Sequence, residues 1–574
     1  MSRYAMTIRP HGSLFFGGYT AGEGKGATET ARDAHGLMAP SAAVKGAIRE
    51  AALRLVRGMG EDDGWVYLIF GDKGMPAGDD DRHDAGKIRF SPFYLHADSV
   101  QSRTSARHHV SLERATRQSA DQRLFTTHVT PAADAVELRG ELEVLEALDD
   151  EEWALLRSAV ATADQIGGGR GRGLGHVTIT LADTPIDTSE APPTLVVPKL
   201  EDFREIILSF DVVEPLQLGV VKDLSNLEPT SDVLTGSTVR GAVAAVLARS
   251  TPDADKDAVL ERVFGGETPV QFGDGLPAVG GVSAPLTLLE SKGDGPAIDR
   301  AVDLCVEALE MGGDGRPGDM KSASGCWYPH PENDRWCEAT LPKRTITRAA
   351  RNPMDGRAKD GQLYSVEVID PAWDGPTEYP QPLQFHVPVR GPVDAVERVI
   401  DAARRGLLVG GTRTTGFGRI TLASVAESTF PPIEERHRRW IDALVSRDVP
   451  AQIAGQTAAL LTHGFLGMNQ TRLRHVLSDH GLEVLGGEAR RCMHGGWNTR
   501  VNLPRTAVGG FVAGSVFLLR AVDPESSPED ILERLRTIEH RGLGPGRADG
   551  WGRVTVCHPI HLDTLPSILT TPRS

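Results

Sequence analysis

The chain has 574 residues, and at roughly 100 to 200 residues per domain that length predicts about three to five domains and excludes a single small module. Hydrophobic residues make up 40% and charged residues 24%, which excludes wholesale disorder and a fibrous chain. A formal net charge of −16 argues against a protein that coats duplex DNA through bulk positive charge, while leaving room for a confined basic groove.

In chain order, the pattern predicts an opening strand at residues 4–8. A helix starts at Pro40, with Ser41 at its cap and an apolar stripe of Val44, Ala47, Ile48, Ala51 and Leu55. Residues 61–84 are acidic and read as a surface insert, whereas residues 103–123 hold five Arg against Glu113 and Asp121, a local +3. A β-like run at 136–144 and a helix-like run at 151–163 lead into Gly167-Gly168-Gly169-Arg170-Gly171-Arg172-Gly173-Leu174-Gly175 and an alternating strand from His176. Residues 184–198, with four prolines, read as a linker.

The same order then returns. A strand at 205–212 precedes the helix start Thr235-Gly236-Ser237-Thr238-Val239-Arg240-Gly241, with Ser237 at the cap. A Gly/Asp/Pro-rich insert at 312–334 is followed by a basic segment from Lys343 and Arg344 through Arg348, Arg351 and Arg357. A strand at 383–389, a helix at 393–405 and a second Gly-rich loop, Gly410 to Gly418, complete it. Phe430-Pro431-Pro432 punctuates the start of a helix-rich third part, with a strand at 515–519, a helix at 528–540 and a third loop, Gly542 to Gly552.

Three loops ending in Gly-apolar-Gly before a basic or His residue, each after a strand and a helix and before a strand, make an internal repeat. Its strand, helix, strands, helix, strand order predicts an α+β, ferredoxin-like split βαβ module elaborated by inserts. Nucleotide binding does not fit, because no loop satisfies GxGxxG or a P-loop and all precede strands where those folds need a helix. Two readings stay open: a cradle for RNA phosphates, with Arg170, Arg172, Arg413, Arg419, Arg547 and Arg553 set among glycines, or a tight turn between helix and strand. The two basic segments, each followed by an apolar strand start at Leu124-Phe125 or Leu363-Tyr364, are read as fingers on single-stranded nucleic acid, or as solvated hairpins. The Arg bias, 51 Arg against 11 Lys, has two explanations, phosphate recognition and a GC-rich genome.

Five Cys without a CxxC pair predict a reducing cytoplasm. The start Met1-Ser2-Arg3-Tyr4 and the lack of any run of about 18 apolar residues predict a soluble intracellular protein. Cys305, Cys326, His330 and Cys337 are an irregular candidate zinc set, the alternative being buried thiols. No metal or other cofactor is expected.

The two PxSxxxKG-like helix starts, the two basic segments leading to Leu124-Phe125 and Leu363-Tyr364, and the Gly-rich loop before the last strand resemble the CRISPR-associated RAMP superfamily. Residues 1–182 are similar to the repeating backbone subunit of type III effector complexes, through the opening strand, Gly17-Gly18, Pro40 to Arg49 and Phe70-Gly71. Residues 203–558 are similar to the larger two-RAMP subunit of type III-D systems, through Gly495-Gly496-Trp497-Asn498, Leu503-Pro504 and Gly514-Ser515-Val516-Phe517. The resemblance implies three tandem ferredoxin-like (RRM-like) RAMP modules: 1–184, a linker at 185–202, 203–428 with an insert, and a shorter 429–574.

It also implies a cytoplasmic ribonucleoprotein subunit that positions CRISPR RNA against target RNA. Its partners would be a polymerase-like large subunit, a small subunit and further RAMP subunits, with no membrane. The implied RNA-binding residues are Lys45, Arg49, Arg107, Arg114, Arg117, Gly169, Arg170, Arg172, Gly173, Gly175, Arg240, Arg344, Arg348, Arg413, Gly416, Gly418, Arg419, Arg547, Gly550, Gly552 and Arg553. Relatives that cut target RNA carry an Asp six positions before a basic-Asp pair; counting back from Arg32-Asp33 lands on Ala27, leaving Glu29 or Asp33 as catalytic substitutes. The enzyme alternative is a metal-independent endoribonuclease that matures guide RNA, with His11, His35, His108 or His109 as acid or base.

Overall fold

The computed structural model describes residues 2–563 except 18–26, 29–30, 34–35, 72–85, 97–104, 114, 132–135, 187–194, 220–226, 293–296, 312–319, 330–335, 352–357, 374–380, 496, 499–502 and 505. The fold is mixed α/β, and its larger sheets are antiparallel.

In the first large sheet, strand Ser2–Pro10 lies between Leu138–Val144 and Val177–Leu181, with Ile88–Phe90 and Phe93–Leu95 on the far side of Leu138–Val144. Helices Ser41–Met59 and Asp150–Thr162 pack together against it. The first presents Val44, Ala47, Ile48, Ala51 and Ala52 at helical spacing, all buried. The second opens on a capping box between Asp149 and Glu152.

The second sheet sets Ile206–Val212 between Gln384–Arg390 and Arg419–Glu427, with Gln271–Phe272 beyond Gln384–Arg390. The third sets Thr457–Thr462 between Val516–Ala521 and Val554–Val556, with Leu482–Glu488 outside Val516–Ala521. Taking the principal strands of each sheet in chain order, the spatial order is fourth, first, third, second every time.

Each sheet also carries a β-hairpin between its second and third strands: Ser105–Leu112 with Ser119–Val129, Lys343–Arg351 with Ala358–Ile369, and Arg491–His494 with Val508–Phe511. A short strand from the first crossover, at Ala27–Thr28, Leu227–Glu228 or Phe465–Leu466, pairs with each hairpin's second strand. The hairpins are thereby tied to their sheets at the base.

Four expectations need correction. The helices begin at Ser41 and Gly236, so the cap positions are Pro40 and Thr235 and neither serine caps by side chain. The Gly236 N–H is satisfied instead by Asp274 Oδ1 at 2.9 Å. The acidic stretch 61–84 is not wholly a surface insert, because Gly64–Phe70 is a helix that buries Val66, Ile69 and Phe70. Leu124-Phe125 and Leu363-Tyr364 do not start strands but lie within the hairpins' second strands.

Core membership crosses chain order. Buried residues between Val282 and Trp336 join one apolar cluster with those between Ile433 and Ile560. Every residue of Thr457–Thr462 is buried, which requires cover on both sheet faces. Helices Ala301–Ala308, Ile433–Val445, Gln470–Asp479 and Pro528–Arg541 supply it, around Trp440 and Cys305.

Candidate nucleic-acid interface

The three Gly-rich loops share one backbone path. Each contains a 3-10 turn, Arg170–Arg172, Arg413–Thr415 or Arg547–Asp549, bounded by left-handed residues. In each, the last glycine (Gly175, Gly418, Gly552) donates its N–H to Ser13 O, Pro215 O or Gly464 O. Its carbonyl accepts from Ile166, Val409 or Leu543 in turn. A Cβ on these glycines would stand 2.1, 2.2 and 2.0 Å from the carbonyl oxygen of that same partner. With φ of 86°, 92° and 77°, they are glycine because the loop closes on its own backbone.

Loops two and three are enclosed by the neighbouring sheet. Gly416 sits against Ser41, Lys45 Nζ donates to Thr414 O at 3.4 Å, and Arg89 Nε donates to Arg413 O at 2.8 Å. Behind this contact Arg89 and Arg419 are interleaved with Glu143 and Glu214, their side chains between 1% and 13% exposed. Burial raises the pKa of Glu214 by more than the two guanidinium groups lower it. Burial, helped by Arg249, lowers the Arg413 pKa.

Loop three repeats the contact on the second sheet: Arg240 pairs with Asp549 at 3.2 Å, Gly550 sits on Phe272 O, and Arg553 pairs with Glu205 at 2.7 Å. Arg547 Nη1 donates to Arg541 O at 3.2 Å. Loop one differs. Arg170 pairs with Glu50 at 2.9 Å, Arg172 and Gly173 are exposed, and Gly169 is closed over by Leu174. Arg49 is half-buried on its helix.

His463 lies in the loop-three contact, its Nε2 3.0 Å from Thr555 Oγ1. Burial, with Arg553 and Arg390 beside it, pushes its pKa down to about 3. An unfolded histidine takes up its proton near pH ~6.5 and the folded one only near 3, so this residue's contribution falls as pH drops through that window. Asp274, pushed up to about 6 by burial, works in the opposite direction below that value. His463→Gln is therefore expected to flatten the loss of melting temperature between pH 7 and pH 5 relative to the parent chain, as differential scanning fluorimetry would show; an unchanged slope would contradict it.

Among the described residues, the first and third hairpins carry exposed arginines. Arg107 is exposed and donates to Ser13 Oγ at 2.9 Å, and Arg117 is exposed at the first hairpin's tip with φ of 57°. His108 and His109 bond Thr126 and Thr127 across the pair, and His11 bonds Thr178. Arg344 pairs with Asp370 at 3.0 Å. Arg114 and the side chain of Arg348 lie outside the described residues. The third hairpin, which the basic-segment count missed, exposes Arg490, Arg491 and Met493, and its His494 ring packs on Trp551 with centroids 4.2 Å apart. Its signal was the Arg490-Arg491 pair ahead of an alternating run.

Ala27 lies in the strand beside Thr126, and Asp33 pairs through its backbone with Gly36. Glu29, His35 and His330, and the side chain of Asp33, lie outside the described residues. Cys305 and Cys326 are buried thiols, their pKa values pushed up by burial to about 11 and about 12. Among the described residues no group of three His, Cys, Asp or Glu side chains is placed to hold a metal.

The sequence model of the RAMP superfamily matches residues 14–178, the stretch that carries the first sheet from Leu14, its hairpin and the first Gly-rich loop. The match supports a RAMP kinship for this segment of the chain. No curated protein matches the chain. Among the described residues no helix is long and apolar enough to cross a membrane.

Proposed function

We propose that the chain is three tandem ferredoxin-like RAMP modules, a backbone-type module followed by a two-module terminal part, acting in the cytoplasm as a guide-RNA-binding subunit of a type III-like CRISPR effector. In this reading it holds CRISPR RNA for pairing with target RNA beside a polymerase-like large subunit, a small subunit and further RAMP subunits. The observation that carries it is the repeated hairpin, present on each sheet at the same point of the chain and exposing Arg107 and Arg117 on the first, within a segment matched by the RAMP model. Phosphates supply affinity and make it salt-dependent.

The RNA-facing set is narrower than the sequence alone indicates. Arg107, Arg117, Arg172 and Arg491 are exposed, whereas Lys45, Arg240, Arg419 and Arg553 are engaged between sheets. An Arg107→Ala, Arg117→Ala double variant is expected to weaken binding of CRISPR repeat RNA roughly tenfold or more and to reduce the salt slope by about 1 to 2, as lost phosphate contacts would. Filter binding across a salt series measures both. Binding that is absent in the parent chain, or insensitive to salt, would sink the proposal.

A further inference from the structure

A cleft of about 520 Å³ opens where helices Asp253–Phe264 and Val393–Arg404 meet the end of Gly236–Ser250, a volume in the range of ligand clefts. It stays open because small residues, Ala258 and Ala402, line it from the two facing helices. Val263, near the end of Asp253–Phe264, is the one buried residue of that helix, so its first half stands off its neighbour. Leu247 and Ala402, both buried, and the half-buried Val259 make an aliphatic floor.

The charges around the cleft are unevenly engaged. Arg262 is held by Asp394, its Nε donating at 2.7 Å, and Asp401 accepts from Arg404 at 3.3 Å. Arg398 and Arg405 line one wall, are exposed, and have no carboxylate partner among the described residues. Seven residues apart, they stand two helical turns and about 10 Å from one another on one face. Against these two free guanidinium groups the other wall sets the single exposed carboxylate of Asp255. In a chain of net charge −16 such a wall is a local positive field, and it favours an anionic occupant. None of the lining residues is aromatic, so no ring is there to stack a nucleobase, and the floor suits aliphatic side chains.

We propose that this cleft seats an acidic amphipathic helix of a partner protein, with two carboxylates on Arg398 and Arg405 and the aliphatic residues between them on the floor of Leu247, Val259 and Ala402. A helix carries positions i and i+7 on one face at the spacing of the two arginines, with i+3 and i+4 between them. An extended segment does not match, because its same-face positions fall about 7 or about 13 Å apart. The inference concerns the helices of the second sheet alone and stands whether or not the hairpins bind RNA.

Its test is fluorescence anisotropy on the nuclease-treated full chain with a labelled Ala-based peptide of about 16 residues. The peptide carries two glutamates seven residues apart and leucines three and four residues after the first. Because a free peptide of that length is only partly helical, a Kd of hundreds of micromolar is expected. Three changes should each weaken binding about tenfold or more: Arg398→Ala together with Arg405→Ala, glutamine for both glutamates of the peptide, and Ala258→Trp, which fills the cleft from an exposed position. Thermal melts and affinity for CRISPR repeat RNA should stay as in the parent chain. No binding up to about 1 mM peptide, or binding that survives any one of the three changes, overturns the inference. A loss of RNA affinity in the double arginine variant overturns it in favour of RNA, and self-association of the parent chain that Ala258→Trp abolishes overturns it in favour of a second copy.

Discussion

Arg89→Ala is expected to destabilise the contact between the first and second sheets by about 3–5 kcal/mol, the loss typical of breaking a buried ion pair from one side. Arg89 is 1% exposed; it donates to Arg413 O, to Glu143 and to Glu214, and Arg419 alone would remain to face both carboxylates. The loss should depend on pH. Glu214 already has a raised folded-state pKa, and removing a neighbouring guanidinium raises it further, so the variant's deficit is larger at pH 8 than at pH 5, where the carboxylate can take a proton. Glu214→Gln added to Arg89→Ala should recover part of the deficit. Urea unfolding followed by tryptophan fluorescence at the two pH values measures this, and a deficit under about 1 kcal/mol would show that the four charges contribute nothing beyond a surface pair.

The second large effect separates the two readings of the Gly-rich loops. Gly418→Ala is expected to destabilise by about 3 kcal/mol or more, since it combines a left-handed backbone with a Cβ 2.2 Å from the Val409 carbonyl oxygen, and that atom is main chain. Gly175→Ala and Gly552→Ala should behave alike, for the same reason at 2.1 and 2.0 Å. Gly171→Ala is the contrast, because nothing lies within 4 Å of its added methyl, and its stability should change by no more than about 0.5 kcal/mol. If Gly171→Ala nevertheless weakens RNA binding at unchanged stability, loop one approaches phosphate by its backbone. If Gly418→Ala leaves the melting temperature untouched, the structural account of that glycine fails.

Much of the element order was legible. Strand, helix, Gly-rich loop and strand recur because apolar periodicity and glycine punctuation are local signals, and the helices Asp150–Thr162, Val393–Arg404 and Pro528–Arg541 fall within a residue or two of the runs that announce them. The caps were less legible, since Asp274 reaches Gly236 from 38 residues away. The third hairpin escaped because its basic residues are few, and the core shared by residues 282–336 and 433–560 left no periodic trace linking the two stretches.

For the candidate interface, the sequence by itself determined that arginines and glycines recur together in three equivalent loops. Only the tertiary structure decided what those arginines do. Arg419 and Arg553 look like Arg170 and Arg172 in sequence, yet their carboxylate partners Glu143 and Glu205 are 276 and 348 residues away. An arginine's role depends on whether its charge meets water, phosphate or a buried carboxylate, and that is a property of what the fold brings beside it. In loop one, by contrast, Arg170 pairs with Glu50 on its own module and Arg172 is exposed.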